Sequence, residues 1–380
     1  MRLEELASSG FRNLVPARVA LAPGTTVLVG DNGQGKTSFL EAIGVLATTR
    51  SFRRARPAEL VRQGEHAFAV SGLLSRGGVG TELSVLHEDG RRSTRVGGVP
   101  VELSEYVGRL VVVAITQAHA GIVRGSPQDR RDFLDRGILG KRPSYLRVLA
   151  SHRRALRQKN AFLRRGGDAG DPALGAQLEA WNERLVEHAA EIVVRRREYV
   201  RALAAVLDEA EPRFLPPGER LELRLHDVLE RDVRLGQAAE GGTGLDRAAV
   251  ADALRRRMEE LRWRELAARQ ALVGPHRDEL LLGLTGRDVR RFASSGQQRN
   301  ALLALKMAKV ELFRRDLGEA PVLLVDDIDT EIDPTRLGTF LQHAGGRAQT
   351  VLTSSKRELF GRMGADTVVH VVARGLLAPA

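Results

Sequence analysis

The sequence predicts an α/β fold in which segments from both ends of the chain form one head around a mostly helical insert. Three observations lead to this prediction. An apolar strand at 26–29 runs through a glycine-rich loop into a helix, and a second apolar run, 322–325, ends in two acids. Between them, the texture is helical, with short loops. We therefore expect head segments at 1–120 and 276–380 and an insert domain at 121–275.

The N-terminal segment alternates short β-like runs with turn residues. The predicted strands are 18–21, 25–29, 67–73, 82–86, 92–96 and 110–115. Asp89-Gly90 predicts a tight hairpin turn between two of them. One helix is predicted from Gly35 through Leu46, so this segment is a sheet-rich lobe with a single loop-to-helix element.

The insert carries three long helical patterns. They run from Ser144 to Gly166, from about 176 to 212 and from about 246 to 271, with an extended segment at 220–225. No heptad pattern lasts long enough for an extended coiled coil. In the C-terminal segment, predicted strands and helices alternate again. The strands are predicted at 279–284, 322–325 and 350–353, and the helices at 297–315 and 334–343.

Composition restricts the class of protein. The chain has 380 residues and a formal net charge of +11, which favours polyanionic partners such as DNA. Cysteine is absent, which excludes disulfides and thiolate chemistry. No apolar run approaches the ~20 residues of a membrane span, and the acidic start lacks the features of a signal peptide. We expect a cytoplasmic protein with no membrane partner.

A phosphate-binding loop follows strand 25–29 and opens the next helix, which is the context that a P-loop requires. Glycines let backbone N–H groups turn toward a triphosphate, and a lysine can reach its outer phosphates. Thr37 is expected to ligate Mg²⁺. The candidate nucleotide-binding residues are Gly30, Asp31, Asn32, Gly33, Gln34, Gly35, Lys36, Thr37 and Ser38.

A Walker B pattern closes the apolar strand 322–325. Asp326 is predicted to lie beside the metal, and Asp327 to orient or deprotonate the attacking water. Lys36, Asp326, Asp327 and Gln117 are the candidate catalytic residues, and Thr37 and Asp326 the candidate metal ligands, with ATP and Mg²⁺ as the expected cofactors.

A third motif begins a strongly patterned helix and consists of Ser294, Ser295, Gly296, Gln297 and Gln298. One interpretation is an ordinary helix cap. The motif also resembles the signature of ABC-type ATPases, with Ser294, Gly296 and Gln297 in matching places. The resemblance implies that the signature of one subunit closes over the P-loop of another, and hence an ATP-dependent homodimer.

Further short motifs accompany these three along the chain. In order, they are Phe11-Arg12-Asn13, the P-loop continuing as Ser38-Phe-Leu-Glu41, Ser51-Phe-Arg53, Gly125-Ser-Pro127, Arg130-Arg131, Gly274-Pro-His276-Arg277-Asp278 and Gly296-Gln-Gln-Arg299. Their identity and order resemble the bacterial RecF recombination-mediator family. The resemblance covers residues 1 to about 333. It implies an ABC/SMC-like ATPase head without a long coiled coil, with Arg12 and Asn13 at the nucleotide.

The same resemblance implies a biological role. Members of the family bind DNA with ATP, dimerise, hydrolyse ATP slowly and work with RecO and RecR to load RecA at single-strand gaps. This places the protein in recombinational repair, replication restart and SOS induction, near the nucleoid.

Several positions depart from the family pattern. Gln117 lies where an acidic segment is usual, and it is either a Q-loop residue or a polar loop residue. The D-loop reads Thr330-Glu-Ile-Asp333, and Leu14 stands where an aromatic residue is common. The switch position after strand 350–353 is one of Thr353, Ser354 and Ser355.

A cationic stripe is predicted on the first helix of the insert. At 100° per residue six arginines fall within an arc of about 120°, and the apolar residues face elsewhere. A face of one sign favours the DNA backbone, with a plain solvated surface as the alternative. Aromatic residues make up only 4% of the chain, which favours duplex or gapped DNA bound without sequence specificity. The stripe consists of Arg147, Arg153, Arg154, Arg157, Arg164 and Arg165.

Three other functions fit some of these features. A P-loop small-molecule kinase would leave the signature and the insert without a role. A protein holding ATP as a structural ligand would bind without turnover. A transporter ATPase would need an insert that grips a membrane subunit, which this basic insert does not resemble.

Overall fold

A computed structural model describes residues 1–166, 172–209, 214–227, 230, 246–331, 338, 340–341, 344, 347–356 and 367–379. The chain forms two compact units. The first comprises Met1–Arg124, Val206–Arg220 and Ala293–Ala380. The second comprises Gly125–Ala205 and Leu221–Phe292. No helix in the described part of the chain is long and apolar enough to cross a membrane.

The first unit contains an antiparallel sheet with strand order β2-β1-β4-β5-β6-β7. Its strands are β1 (Arg2–Ser9), β2 (Ala17–Ala20), β4 (Ala67–Arg76), β5 (Val79–Glu88), β6 (Arg91–Val96) and β7 (Val99–Pro100). The predicted hairpin turn is confirmed, because Asp89 and Gly90 join β5 to β6 with φ angles of 47° and 75°. Two strands of this sheet, β1 and the two-residue β7, were not predicted, and β1 is an interior strand that pairs with both β2 and β4.

A second sheet of the first unit has the order β15-β14-β3-β13-β12-β8 and is parallel except at β15. Its strands are β3 (Thr25–Val29), β8 (Val112–Ile115), β12 (Val322–Val325), β13 (Thr350–Ser354), β14 (Thr367–Ala373) and β15 (Leu376–Pro379). All residues of β3 and β12 are buried, as expected of parallel strands covered on both faces. Since parallel strands end at one edge, the loops after β3, β12 and β13 meet there.

Helices and a common core complete the first unit. The helices are α1 (Lys36–Thr48), α2 (Pro57–Leu60), α3 (Leu103–Tyr106), α4 (Gly121–Arg124), α11 (Ser295–Leu317) and α12 (Ile328–Glu331). A 3₁₀ turn spans Gln117–Ala120. One apolar core contains residues of both sheets and of α1, for example Leu6, Leu28 and Leu40. The predicted helix 334–343 lies almost wholly outside the described residues.

The second unit is mostly helical around a small sheet of order β11-β10-β9. Its helices are α5 (Pro127–Lys141), α6 (Tyr145–Arg165), α7 (Pro172–Glu209, whose last four residues belong to the first unit), α8 (Arg247–Glu260), α9 (Arg262–Ala268) and α10 (Val289–Phe292). Its strands are β9 (Leu221–His226), β10 (Glu279–Leu284) and β11 (Arg287–Asp288). The helix predicted at 246–271 is two helices, because the chain bends at Leu261.

The borders of the units differ from the predicted domain limits. Residues 276–292 belong to the second unit because β10 pairs along its length with β9. Residues 206–220 belong to the first unit rather than to the insert. The predicted boundary followed the Gly-Pro pair at 274–275, but the pairing of β10 with β9 keeps the next residues in the second unit.

Candidate nucleotide-binding site

The P-loop connects β3 to α1 as the sequence predicts. Lys36 is buried, and its Nζ donates to the carbonyl oxygens of Gly30 at 2.7 Å and of Asp31 at 3.0 Å. Gly35, at the N-cap of α1, has a positive φ of 115°, which glycine adopts readily and residues with a Cβ rarely adopt. Asp31, Asn32 and Gly33 are exposed. The loop therefore wraps around its own lysine, with the helix start beside it.

The loop before β2 is tied to the P-loop and to α1. Asn13 Nδ2 donates to the Gly33 carbonyl at 3.1 Å, and Ser38 Oγ donates to Asn13 Oδ1 at 2.8 Å. Arg12 makes a bidentate pair with fully buried Glu41, at 2.9 and 3.0 Å, and Ser51 Oγ also donates to Glu41. Arg12 and Asn13 thus lie at the predicted site, and Glu41, whose role the sequence does not indicate, orients Arg12.

The Walker A and Walker B residues meet at the strand ends. Asp326 Oδ1 accepts hydrogen bonds from Thr37 Oγ1 at 2.9 Å and from Thr353 Oγ1 at 2.9 Å. Burial raises the pKa of Asp326, and neighbouring Asp327 raises it further, while the two hydroxyl donors and Arg53 oppose the shift. The carboxylate is thus held among polar partners in a largely buried position.

Asp327 follows Asp326 in a left-handed conformation, with φ of 48°. Its N–H donates to Thr353 Oγ1 at 2.7 Å, and its carbonyl accepts from Thr330 N–H and Oγ1, each at 2.8 Å. Non-glycine residues adopt this conformation at a cost, so these bonds hold it in place. The turn leaves the Asp327 side chain half-buried at the edge of the site.

Of the three candidate switch residues, Thr353 is the one at the site. It is fully buried and contacts both Walker B residues. Ser354 Oγ instead accepts from Lys356 N–H, and Ser355 Oγ donates to Asp329 Oδ2. The strand alternation of β13 accounts for this choice, because only one of two successive side chains faces Asp326.

The signature motif begins α11. Ser294 is the N-cap: its Oγ accepts from Gln297 N–H, and Gln297 Oε1 accepts from Ser294 N–H, which forms a capping box. Ser294, Ser295 and Gly296 are exposed. An exposed N-terminus of a 23-residue helix favours anions. The cap therefore leaves the start of α11 exposed and accessible to an anion.

Gln117 and the D-loop share a cavity with the signature helix. This cavity of about 310 Å³ is lined by Gln117, Ala120, Val123, Arg124, Gln298, Arg299, Leu302 and Thr330. Arg124 Nε donates to Gln298 Oε1 within it. Gln117 and Thr330 are exposed, and Asp333 lies outside the described residues. The three motifs thus meet within the first unit.

The predicted cationic stripe lies on α6 in the second unit. Its six arginines are all exposed, whereas the opposite face of α6 buries Leu149, His152, Lys159 and Leu163. α6 contains no acidic residue. Lys159 Nζ pairs with Glu265 Oε2 at 2.6 Å, and both side chains are fully buried. The stripe is therefore carried on a helix anchored to α9.

His276 is half-buried in the second unit, and Arg277 beside it is exposed. Both contact the Ala271 carbonyl, at 3.1 and 3.2 Å. Burial lowers the pKa of His276 to about 4 and that of His152, whose ring lies 6.2 Å away, to about 3. These contacts give His276 a packing role, while the Arg277 side chain stays at the surface.

Comparisons with known proteins show the family of the chain. The family model described as "RecF/RecN/SMC N terminal domain" matches residues 2–376. "DNA replication and repair protein RecF" of Thermosynechococcus vestitus is 38% identical over 358 residues, covering 93% of this chain and 91% of the relative. The same-named protein of Anaeromyxobacter sp. is 37% identical over 385 residues, covering 100% and 99%.

Solved structures extend the likeness to the fold. A structure described as RecF-ATP in the RecFOR pathway matches with a TM-score of 0.87 at 26% identity, covering 100% of this chain and 97% of that chain. An Smc head bound to a winged-helix domain of ScpA matches with a TM-score of 0.56 at 16% identity, covering 100% and 97%, and shows the fold alone. The fold is thus that of an ABC-type ATPase head with an inserted helical domain, and the chain belongs to the bacterial RecF family.

Proposed function

We propose that this chain is an ATP-dependent DNA-binding protein of recombinational repair of single-strand gaps, in which slow ATP hydrolysis acts as a switch. The observation that carries the proposal is the buried junction where Thr37 and Thr353 both donate to Asp326. The named function of the RecF relatives, DNA replication and repair, and the ATP form of a solved RecF support it.

ATP is held by its phosphates in the P-loop. The backbone N–H groups and Lys36 supply positive potential, and the N-terminus of α1 adds to it. Arg12 and Asn13 border the same loop through Glu41 and Ser38. Leu14 is buried, at 1% exposure, so it offers no open face for adenine.

The residues present fit Mg²⁺. Thr37 and Asp326 present hard oxygen donors 2.9 Å apart at the end of the P-loop, which is the donor type that Mg²⁺ prefers. These two residues would hold the ion, which would supply positive charge to neutralise the phosphoryl oxygens. Thr353 keeps the Asp326 carboxylate oriented through its hydrogen bond.

Asp327 is the residue that orients or deprotonates the attacking water, with Gln117 as an assisting polar group. The half-buried carboxylate follows a backbone turn fixed by three hydrogen bonds. Its side chain is one methylene shorter than the glutamate of transporter ATPases, so we expect weak activity that DNA stimulates by improving alignment.

The homodimer forms when the signature of each copy meets the nucleotide of the other. Exposed Ser294 to Gly296 at the start of α11 support this arrangement, since a γ-phosphate is an anion suited to a helix N-terminus. Gln298 is fixed by Arg124 and by the Ala293 carbonyl. Thr330 and Asp333 act across the dimer as the D-loop.

Gly296→Arg tests the dimer. A Cβ at Gly296 meets only Ser294 Oγ, at 3.9 Å, so the larger side chain fits the single chain and obstructs only a partner. We expect wild type to sediment as a dimer with ATP and Gly296→Arg as a monomer. Gly80→Arg, at an exposed position near the start of β5, is the matched control and should dimerise. Equal dimerisation of all three would contradict the proposed interface.

DNA is bound through its backbone by the stripe on α6. The double variant Arg153→Ala/Arg157→Ala should lower the slope of log K against log salt by about 2, about 1 for each lost phosphate contact. Arg264→Ala/Arg287→Ala removes the same charge from exposed positions elsewhere in the second unit and should leave the slope unchanged. Fluorescence anisotropy with random-sequence duplexes at several salt concentrations gives the slope for each double variant. If the two double variants had equal slopes, DNA binding would depend on net charge alone and not on the stripe.

The remaining parts of the proposal rest on family membership. We infer that RecR and RecO are partners, that the complex loads RecA and supports replication restart and SOS induction, and that the protein acts in the cytoplasm near the nucleoid. Pull-down with purified RecR, with and without ATP, tests the first of these directly. A kinase would instead transfer phosphate to a small molecule and ignore DNA.

A further inference from the structure

The turn between β14 and β15 lies directly against the P-loop, although 340 residues separate them in sequence. Gly375 N–H donates to the carbonyl oxygen of Gln34 at 2.8 Å. Arg374 N–H donates to Gln34 Oε1 at 2.6 Å. On its other side, the Gly375 carbonyl accepts from Val15 N–H at 3.0 Å. The turn thus bonds both the P-loop and the loop before β2.

The packing between these segments leaves no room for side chains. Gly375 is buried with φ of 80°, and a Cβ there would overlap the backbone oxygen of Asn13. A Cβ at Gly35 would lie 3.3 Å from the Gly375 Cα, and one at Gly30 would overlap the Val372 carbonyl. The backbones therefore touch, and a small shift of the turn moves the P-loop.

The direction of one peptide group gives this contact a role. In a trans peptide, the C=O of one residue and the N–H of the next point in opposite directions, and the described chain has no cis peptide bond. Because the Gln34 C=O points at the turn, the Gly35 N–H points away from it, across the P-loop. Gly35 is the N-cap of α1, so this N–H is one of the donors that the helix leaves open for an anion.

We propose that Gly375 is a positioning residue of the ATP site. The Arg374–Gly375 turn fixes the Gln34 peptide and so aims the Gly35 N–H at the phosphates before nucleotide arrives. The inference rests on the proposed ATP binding and deepens it, since it assigns to the C-terminal hairpin a part in phosphate recognition. The contact acts on the phosphate cradle and not on the base.

Gly375→Ala tests the inference, and the chain supplies a closely matched control. Asp89–Gly90 has φ angles of 47° and 75°, while Arg374–Gly375 has 49° and 80°. A Cβ at Gly90 meets nothing within 4 Å. Both substitutions impose the same backbone strain. Only the Cβ at Gly375 overlaps a neighbour, the Asn13 carbonyl oxygen in the loop before β2, and so displaces the turn that bonds Gln34.

The measurements are the affinities for fluorescent ATP and GTP analogues and the turnover rate at saturating ATP. We expect Gly375→Ala to weaken both nucleotides equally, by about 10- to 100-fold, as for one lost hydrogen bond to a charged group. Turnover at saturation should change far less than affinity. Gly90→Ala should bind like wild type.

A milder variant covers the case in which Gly375→Ala does not fold. Gln34→Ala removes the acceptor of Arg374 N–H and keeps the backbone bond, so a smaller loss for both nucleotides is expected. Affinities equal to those of Gly90→Ala, or a loss for ATP alone, would overturn the inference. A wild type that binds no nucleotide would instead overturn the proposed function and the inference with it.

Discussion

Removing Lys159 should destabilise the second unit by breaking a fully buried ion pair. Lys159 Nζ lies 2.6 Å from Glu265 Oε2, and neither side chain is exposed. Burial lowers the pKa of Lys159, and Glu265 opposes that shift. In Lys159→Met the Glu265 carboxylate loses its cation, which typically costs about 3–5 kcal/mol. That is a large part of the stability of an ordinary domain.

The fate of Glu265 sets the second half of this prediction. Its Oε1 also accepts from the N–H groups of Leu272 and Val273, at 2.6 and 3.3 Å. Lys159→Met/Glu265→Gln keeps an acceptor for these donors and removes the buried charge. We therefore expect the double variant to recover more than half of the loss, by the usual behaviour of coupled sites.

Urea unfolding followed by tryptophan fluorescence measures both values. The two tryptophans of the chain, Trp181 and Trp263, lie in the second unit, so the signal reports on that unit. Arg255→Met breaks an exposed pair with Glu183, where the side chains are 45% and 49% exposed, and should cost at most about 1 kcal/mol. A Lys159→Met loss no larger than this control, or no recovery in the double variant, would refute the reasoning.

Two further predictions concern the site and the response to pH. Thr353→Val removes one hydrogen-bond donor from Asp326 and should lower ATP turnover at saturating ATP by about 10-fold, with little change in ATP affinity. Ser355→Ala is the control and should keep the wild-type rate. Equal rates for the two variants would contradict the assignment of Thr353 as the switch residue. His276 is held neutral with a pKa of about 4, below its value in the unfolded chain, so it takes up a proton on unfolding between pH 6.5 and 4. The contribution of neutral His276 to the free energy of unfolding is therefore fully present above about pH 6.5. As the pH is lowered below that value, this free energy decreases by up to about 1.4 kcal/mol per pH unit. His276→Gln should remove this part of the pH dependence, as measured by urea unfolding at several pH values.

Local patterns predicted the motif-bearing elements well. The strand, loop and helix of the P-loop were confirmed within one or two residues, because an apolar run and glycines determine them locally. The helix predicted at 297–315 is α11, which begins two residues earlier, directly after the cap at Ser294. The 3.6-residue period placed all six stripe arginines on the exposed face of α6.

Other features depend on partners distant in sequence and left no local pattern. β1 contains two glutamates and one arginine among its eight residues, and it becomes an interior strand only through pairing with β2 and β4. The Arg374–Gly375 turn lacks the Asn-Gly or Asp-Gly pair that marks many hairpins, so it was not predicted. Its contact with Gln34, and the contact of Arg12 with Glu41, arise only in the folded chain.

The central claim is that two copies of the chain build composite ATP sites on DNA. The most direct test is the initial rate of ATP hydrolysis against protein concentration, with and without duplex DNA, with Lys36→Met to subtract contaminating activity. The account predicts a rate that rises faster than linearly with protein and increases with DNA. A linear rate indifferent to DNA would contradict it.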